Sequence, residues 1–375
     1  MERVVIKRYG NGKEKVLEGL KQVRDIEIYG FTDKDTKLWG TCEKGYLVYS
    51  IFQVAELYKA KKIDKLVFAC DIEMELLDRM VKEACSLGIE KEDIWITKPE
   101  FYVDSLKKHI CIYEEYMRLP YIEFHVADHC NLNCKGCVHF SPLVKGKKFA
   151  DFDMVKRDLL QLKKLVCYID KIHILGGEPF LNEELDKYID LVRDVYPFSE
   201  ISVVTNGLLV MKMNERTEKA FKRNRATIAI SSYLPVLGKI DEIIAYVKEK
   251  GIDVRCSEPI YEFAYTFDCQ GGHAGGAQKI HCTCPNLYEG HLAVCPPIAY
   301  LKYYNEYFGQ KLDEQDGLID IYDDDLTYDK LIEELHKVRC ICDKCLFISK
   351  EDAVPMKWEQ SMQRSISDYV WMGKS

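Results

Sequence analysis

From Tyr121 to Arg255, short apolar runs alternate with amphipathic helical stretches in units of about 25–30 residues. This rhythm constrains the chain more than any single residue does. Strands that recur with a helix between them pair in parallel, and the helices cover the sheet they cross. The strand-like runs are Tyr121–Val126, Lys171–Leu175, Glu200–Thr205, Thr227–Ser231 and Ile252–Arg255. Between them Met154–Leu165, Glu183–Val195, Asn214–Phe221 and Ile240–Lys250 read as helices. The expected class is α/β, with a parallel (β/α) partial barrel over residues 116–258. Four of these strands run directly into glycine or polar side chains: Cys130, Gly176, Thr205-Asn206-Gly207 and Ser231-Ser232. Those are carboxyl ends, where barrel folds carry their chemistry.

Residues 1–115 show a second, smaller alternation. Val4–Ile6, Ile26–Phe31, Lys65–Ala69 and Ile94–Ile96 read as strands, and Val54–Lys61 and Ile72–Leu87 as helices. A Rossmann-like α/β domain is expected, joined to the barrel by a helical connector over Phe101–Leu119. Gly10-x-Gly12 after the first strand, with Asp33 farther on, echoes a dinucleotide fingerprint. Lys15 stands at its third glycine position. Three readings stay open: a tight turn only, a nucleotide or nucleotide-sugar site on the sheet's carboxyl edge, or a surface for a partner.

The chain has 16 cysteines and no signal-peptide-like N-terminus, so the expected compartment is the reduced cytoplasm, where clustered thiols bind metal. No apolar run approaches the roughly 20 residues that span a bilayer. With a net charge of −8 there is no basic footprint for nucleic acid. Cys130, Cys134 and Cys137 form a C-x3-C-x2-C run on one loop. Three thiolates so placed suit soft metals and iron–sulfur clusters. A cubane held this way keeps one iron open to a ligand that is not protein. Asp128, His129 and His139 lie near enough in sequence for a zinc site of three cysteines and one histidine as the alternative. Roughly forty residues on, Ile172–Leu175 ends in Gly176-Gly177-Glu178-Pro179.

A strand, C-x3-C-x2-C and then G-G-E-P after the next strand together resemble the radical S-adenosylmethionine (SAM) superfamily. The resemblance implies that Cys130, Cys134 and Cys137 hold a [4Fe-4S] cluster whose open iron is chelated by SAM. It implies that Gly176, Gly177, Glu178 and Pro179 bind the methionine end, with Ser231 and Asn206 as polar contacts on the same rim. It also implies reductive cleavage of SAM to a 5′-deoxyadenosyl radical that takes hydrogen from a substrate, with a flavodoxin- or ferredoxin-type electron donor. The family often has an aromatic residue before the third cysteine, where this chain has Gly136; adenine packing is expected elsewhere, with Phe140 as a candidate.

A cysteine-rich extension is expected over 259–350, followed by a tail, 351–375, that carries no readable signal. Gln270 to Gly276 is glycine-rich and suits a lid or a disordered loop. Gly290-x4-Cys295 with Cys342-x2-Cys345 resembles the SPASM or twitch extensions of some radical SAM enzymes. That resemblance implies a second [4Fe-4S] cluster on Cys284, Cys295, Cys342 and Cys345, with Cys282 and Cys340 able to substitute. A four-cysteine zinc knuckle fits the same spacings. The module before the barrel looks like those accompanying surface-polysaccharide enzymes, which implies a sugar, or a nucleotide- or carrier-linked sugar, as substrate. Peptide modification is the alternative within the family, and a non-catalytic zinc or iron–sulfur module the alternative outside it. No residue of the sequence is marked as the catalytic acid, base or hydrogen donor.

Overall fold

The computed structural model describes residues 1–7, 12–69, 74–98, 101, 107–113, 117–272, 284–347 and 353–373. The chain divides into two compact units, Met1–Arg118 and Leu119–Ser375. Among the described residues no helix is long and apolar enough to cross a membrane.

The first unit holds strands Glu2–Lys7 (β1), Ile26–Thr32 (β2), Cys42–Glu43 (β3), Tyr46–Tyr49 (β4), Lys65–Phe68 (β5), Ile94–Thr97 (β6) and Ile110–Ile112 (β7). Its helices are Gly12–Leu20 (α1), Ile51–Lys59 (α2) and Met74–Ser86 (α3). The sheet order is β3-β4-β2-β1-β5-β6-β7, parallel from β4 through β6 and closed at each edge by an antiparallel strand. Every second residue of β1, Val4 and Ile6, packs with Val16, Leu17 and Leu20 of α1, so the amphipathic helix buries one sheet face. Gly12 opens α1, whereas Gly10 lies outside the described residues. The expected connector over Phe101–Leu119 is not one helix: β7 lies within it. A three-residue strand with alternating burial, Ile110-Cys111-Ile112, is too short to show a period.

In the second unit β8 (Arg118–Ala127), β9 (Tyr168–Gly176), β10 (Glu200–Thr205), β11 (Thr227–Ile230) and β12 (Asp253–Cys256) are the partial-barrel strands. Helices α4 (Phe152–Leu165), α5 (Leu185–Val195), α6 (Glu215–Asn224), α7 (Leu234–Leu237) and α8 (Ile240–Glu249) intervene. Ile122, Phe124 and Val126 of β8, Ile172 and Ile174 of β9, and Ile201 and Val203 of β10 are buried in the same core as Leu159, Leu162, Ile189 and Val192 of the helices. The alternate residues form the sheet's other face.

The rest of the chain packs into this same unit. Strands β13 (Glu262–Ala264), β14 (Phe267–Asp268), β15 (Asn286–Tyr288) and β16 (His291–Ala293) are followed by α9 (Pro296–Ala299), α10 (Leu301–Phe308), β17 (Leu318–Asp320), α11 (Tyr328–Leu335), β18 (Pro355–Lys357) and β19 (Val370–Trp371). The large sheet runs β12-β11-β10-β9-β8-β15-β16-β17, so the extension prolongs the barrel sheet instead of forming a separate body. The tail is equally structural: β18 pairs with β13 and β19 with β14.

Candidate active site

The loop after β8 carries the three cysteines, and the tail holds it in place. Cys134 bridges Gln360, Lys135 N–H donates to Glu359 O (3.0 Å), and Ser361 N–H donates to Asn133 O (2.6 Å). Gly136 has φ +66, and a Cβ there would stand 2.9 Å from Ala264 O and 3.3 Å from Met356. The β13–β18 pair therefore fills the space that a side chain before the third cysteine would need. Phe140 is not an adenine contact. Its φ of +51 turns the ring away, and it is fully buried among Phe267, Tyr304 and Tyr369. The aromatic wall of the site comes from Tyr233 and Phe263, with Trp358 of the tail stacked on Tyr233 at 5.8 Å.

At the end of β9 the glycine pair crosses the cysteine loop at backbone contact. A Cβ on Gly176 would sit 2.1 Å from Ala127 O, and one on Gly177 would sit 2.3 Å from His129 O. Gly177 N–H donates to Ala127 O (2.7 Å) and Glu178 N–H to His129 O (3.2 Å). Glu178 is fully buried, and burial raises its pKa to about 7 against three hydrogen bonds. Its carboxylate accepts from Thr205 Oγ1 (2.7 Å), Phe180 N–H (3.1 Å) and Asn206 N–H (3.0 Å). Pro179 starts the short turn behind it. Asn206 in turn donates to Asn131 Oδ1 (2.7 Å), with Cys130 Sγ at 3.8 Å. Glu178 and Asn206 thus tie the glycine turn, the end of β10 and the cysteine loop together. Ser231 N–H donates to Thr205 O (2.8 Å), which brings the end of β11 to the same rim.

Cys130, Cys134, Cys137, Gly176, Gly177, Asn206 and Ser231 line one cavity of about 110 Å³ with His139, Ser141, Tyr233 and Phe263. Burial pushes the Cys130 thiol to about 12 and raises Cys134 and Cys137 as well, so metal-free thiols here stay protonated at neutral pH. Local donors oppose that shift. Leu132 N–H reaches Cys130 Sγ at 3.3 Å. Two buried donors, Trp358 Nε1 and Ser141 Oγ, lack a hydrogen-bond partner among the described residues. Each stands close enough to lower the pKa of its neighbour, Cys134 and Cys137 respectively, without meeting hydrogen-bond geometry. Thiolates ligated to a cluster would give both an acceptor, so the residues present fit an iron–sulfur group. The nearby groups considered for zinc are engaged elsewhere. Asp128 pairs with His125 (2.9 Å) and accepts from Tyr303, His129 Nδ1 accepts from Lys148 N–H (3.1 Å), and His139 Nδ1 meets His125 Nε2 (2.8 Å). Among the described residues no three His, Cys, Asp or Glu side chains crowd around one ion-sized point.

The sheet face opposite the helices is polar, which reasoning from the sequence missed. Tyr121 donates to Glu123, and His173 Nδ1 lies 2.8 Å from the same hydroxyl. Asn286 Nδ2 donates to Glu123 Oε1 (3.0 Å). Burial raises Glu123 to about 7 and lowers His173 to about 4, so His173 is neutral at physiological pH. Arg255 of β12 donates to Ser202 and pairs with Glu200 (2.6 Å). His125 stacks on Tyr300 at 3.8 Å. A signal was present in the strand itself: Glu123 and His125 alternate with Ile122, Phe124 and Val126.

Among the C-terminal cysteines, Cys295, Cys342 and Cys345 are buried and Cys284 is exposed. Gly290, at φ +81, makes the turn of the β15–β16 hairpin, in which Asn286 pairs with Ala293. Continuing that register sets Cys284 opposite Cys295. Val294 N–H donates to Gly317 O (3.2 Å), and Cys340 N–H donates to the neighbouring Asp316 (2.6 Å), which brings the 340–345 segment alongside. Arg339 N–H and Phe347 N–H each lie 3.4 Å from the sulfurs of Cys342 and Cys345. A hydrogen bond to Asp316 raises the exposed Cys340 thiol, and burial raises the Cys342 thiol as well. Cys282 and most of the glycine-rich loop after Gly272 lie outside the described residues.

Residues 124–258 match the family model of the Radical SAM superfamily. A GTP 3′,8-cyclase of Aquifex aeolicus is 27% identical over 161 residues, which cover 38% of this chain and 48% of that protein. One from Clostridium acetobutylicum is 32% identical over 104 residues, covering 27% and 32%. The chain thus spans about half or less of the length of these relatives. A crystal structure of BtrN in complex with AdoMet and 2-DOIA is 15% identical, with a TM-score of 0.35 over 58% of this chain and 87% of that one.

Proposed function

For a chain that carries a radical SAM domain over residues 124–258, we propose a radical SAM enzyme that takes hydrogen from a polar, hydroxyl-rich substrate such as a sugar or a nucleotide- or carrier-linked sugar. The observation that supports this substrate class is the polar character of the sheet face that carries Tyr121, Glu123, His173, Ser202 and Arg255, on the same sheet whose ends carry the cysteine and glycine loops. Cys130, Cys134 and Cys137 would hold the [4Fe-4S] cluster. Gly176, Gly177, Glu178 and Pro179, with Ser231 and Asn206, would cradle SAM. When bound, these groups supply one-electron cleavage of SAM and a carbon radical that abstracts hydrogen.

This chain's own residues do the rest. The glycine pair lets backbone approach where side chains would block it. Glu178 and Asn206 fix the turn, and Tyr233, Phe263 and Trp358 wall off the thiols. Such an apolar wall limits the water that reaches the thiols, and radical chemistry needs water kept away. A flavodoxin- or ferredoxin-type protein in the reduced cytoplasm is the proposed electron donor. Protein reconstituted with iron and sulfide without oxygen, given SAM and dithionite, is expected to release 5′-deoxyadenosine. Silence from protein with an intact cluster would sink the reading. Deuterium transfer from a ring-labelled sugar nucleotide to that product tests the substrate class.

A second cluster on Cys284, Cys295, Cys342 and Cys345 is part of the proposal, supported by the hairpin register. Replacing Cys342 and Cys345 together with alanine is expected to lower iron and labile sulfide by about half, because each cubane carries four of each. Unchanged iron content refutes the second cluster. The same hairpin keeps peptide modification as the second reading, since such extensions accompany many peptide-maturing enzymes.

Glu123 makes stability depend on pH. Its folded pKa lies above the unfolded value of 4.5, so its contribution is complete below about 4.5 and is lost as pH rises through about 7. The stability of wild type minus that of Glu123→Gln, from urea midpoints, is therefore expected to fall between pH 4.5 and 8. A flat difference contradicts the assignment.

A further inference from the structure

We infer that the carboxyl edge of the N-terminal sheet, where Lys7 and Thr32 lie side by side, binds the phosphate of a phosphorylated ligand. The inference concerns the first unit alone and does not depend on the radical SAM reading.

Its starting point is topology. In the order β4-β2-β1-β5-β6 the chain moves from β1 to β2 on one side, and later returns to β5 on the other. The connections leaving β1 and β5 therefore diverge between those two strands, and open α/β sheets bind ligands at the carboxyl end of such a switch point. Lys7 is the last residue of β1 and is the register partner of Thr32, the last residue of β2, so both side chains project from one sheet face. Asp33 follows directly, at the place where sheets of this order carry an acidic group for ribose hydroxyls.

The second observation concerns unmet polar groups. Lys7 is 8% exposed and makes no hydrogen bond or ion pair among the described residues. Asp33 and Glu83 act on it only at longer range, and burial pulls its pKa down. Thr32 is fully buried, and its Oγ1 has no hydrogen-bond partner among the described residues. An unpaired buried ammonium and an unsatisfied buried hydroxyl both cost stability. Two such groups on neighbouring strands answer no structural need, because Met and Val fit the same volumes without that cost. An anion between them satisfies both. Lysine binds phosphate as a point charge, with a hydroxyl to fix its orientation. Thr97, at the end of β6, is a further buried hydroxyl on this edge with no hydrogen-bond partner among the described residues.

Isothermal titration of the full-length protein with UDP, ADP, inorganic phosphate and uridine tests the inference. Binding of at least one phosphate-bearing probe with Kd below about 1 mM is expected, with uridine at least tenfold weaker. Lys7→Met is expected to weaken that binding about 10- to 100-fold and Thr32→Val about 3- to 10-fold, since an uncharged hydroxyl donor contributes less than an ammonium. Both variants should melt at or above the wild-type temperature without ligand, since each removes an unmet polar group. A nucleotide that binds tighter than inorganic phosphate identifies a nucleotide site, and equal affinities identify a site for free phosphate; either supports the inference. If Lys7→Met fails to fold, Thr32→Val decides alone. Wild type that binds none of the phosphates, or variants that bind them as wild type does, overturns it.

Discussion

Exchanging Cys134 for serine is expected to reduce SAM cleavage to background while leaving the metal-free fold intact. The side chain is buried, and its neighbours are fixed from two directions: Asn133 and Lys135 by the tail, and the thiol itself beside Trp358. Serine keeps the shape, so the hydrogen bonds of the clasp survive. Its oxygen is a harder and far more basic ligand than a thiolate, and iron–sulfur clusters are held by thiolates. Two cysteines remain, and His139, which lines the same cavity, is held by His125. The checks are iron and sulfide content after anaerobic reconstitution, 5′-deoxyadenosine yield, and the melting temperature without metal. A variant with full cluster content and full turnover removes Cys134 from the ligand set. A variant that is merely unfolded is told apart by its melting curve.

Gly176→Ala is expected to damage stability and SAM binding together. Its Cβ would lie 2.1 Å from a main-chain oxygen, that of Ala127, and 3.1 Å from the carbon of the same carbonyl. No rotamer relieves a clash with backbone, so the end of β9 has to move away from β8. That movement breaks the hydrogen bond from Gly177 to Ala127 and takes Glu178 with it. Overpacking a tight interior typically costs about 1–3 kcal/mol, and a clash between two backbones belongs at or beyond the upper end. In a unit of this size that corresponds to a drop in melting temperature of roughly 6–12 °C. Gly238→Ala is the control, because a Cβ there meets nothing within 4 Å, and it should stay within about 0.5 kcal/mol of wild type. Wild-type melting and SAM affinity in Gly176→Ala contradict the close approach.

The cysteine run and the glycine turn were legible because each is local: the residues that meet in space are few apart in the chain, and their types are rare. The barrel strands were legible for a related reason, since burial on one face repeats with a fixed period. What the sequence concealed depends on distance along the chain. Trp358 packs beside the thiols of a loop more than two hundred residues away, directly after a three-residue strand with no period to read. Phe140 sits only three residues from Cys137, yet its left-handed backbone points it into the core, and no composition argument gives that angle. The helical connector failed because short strands such as β7 take their conformation from the neighbour they pair with.

The clasp also sets a timetable. Lys135 and its tail partner Glu359 are separated by 224 residues. At about 5–20 residues per second of synthesis, the tail leaves the ribosome roughly 10–45 s after the loop it secures. Until then the three thiols lack Trp358 and the strand that pins them. A cluster delivered early would meet a loop that lacks these contacts, so insertion belongs after residues 355–361 have been made. Chains cut short before residue 355 would lack the clasp altogether, so retention of iron is tied to copies that carry it.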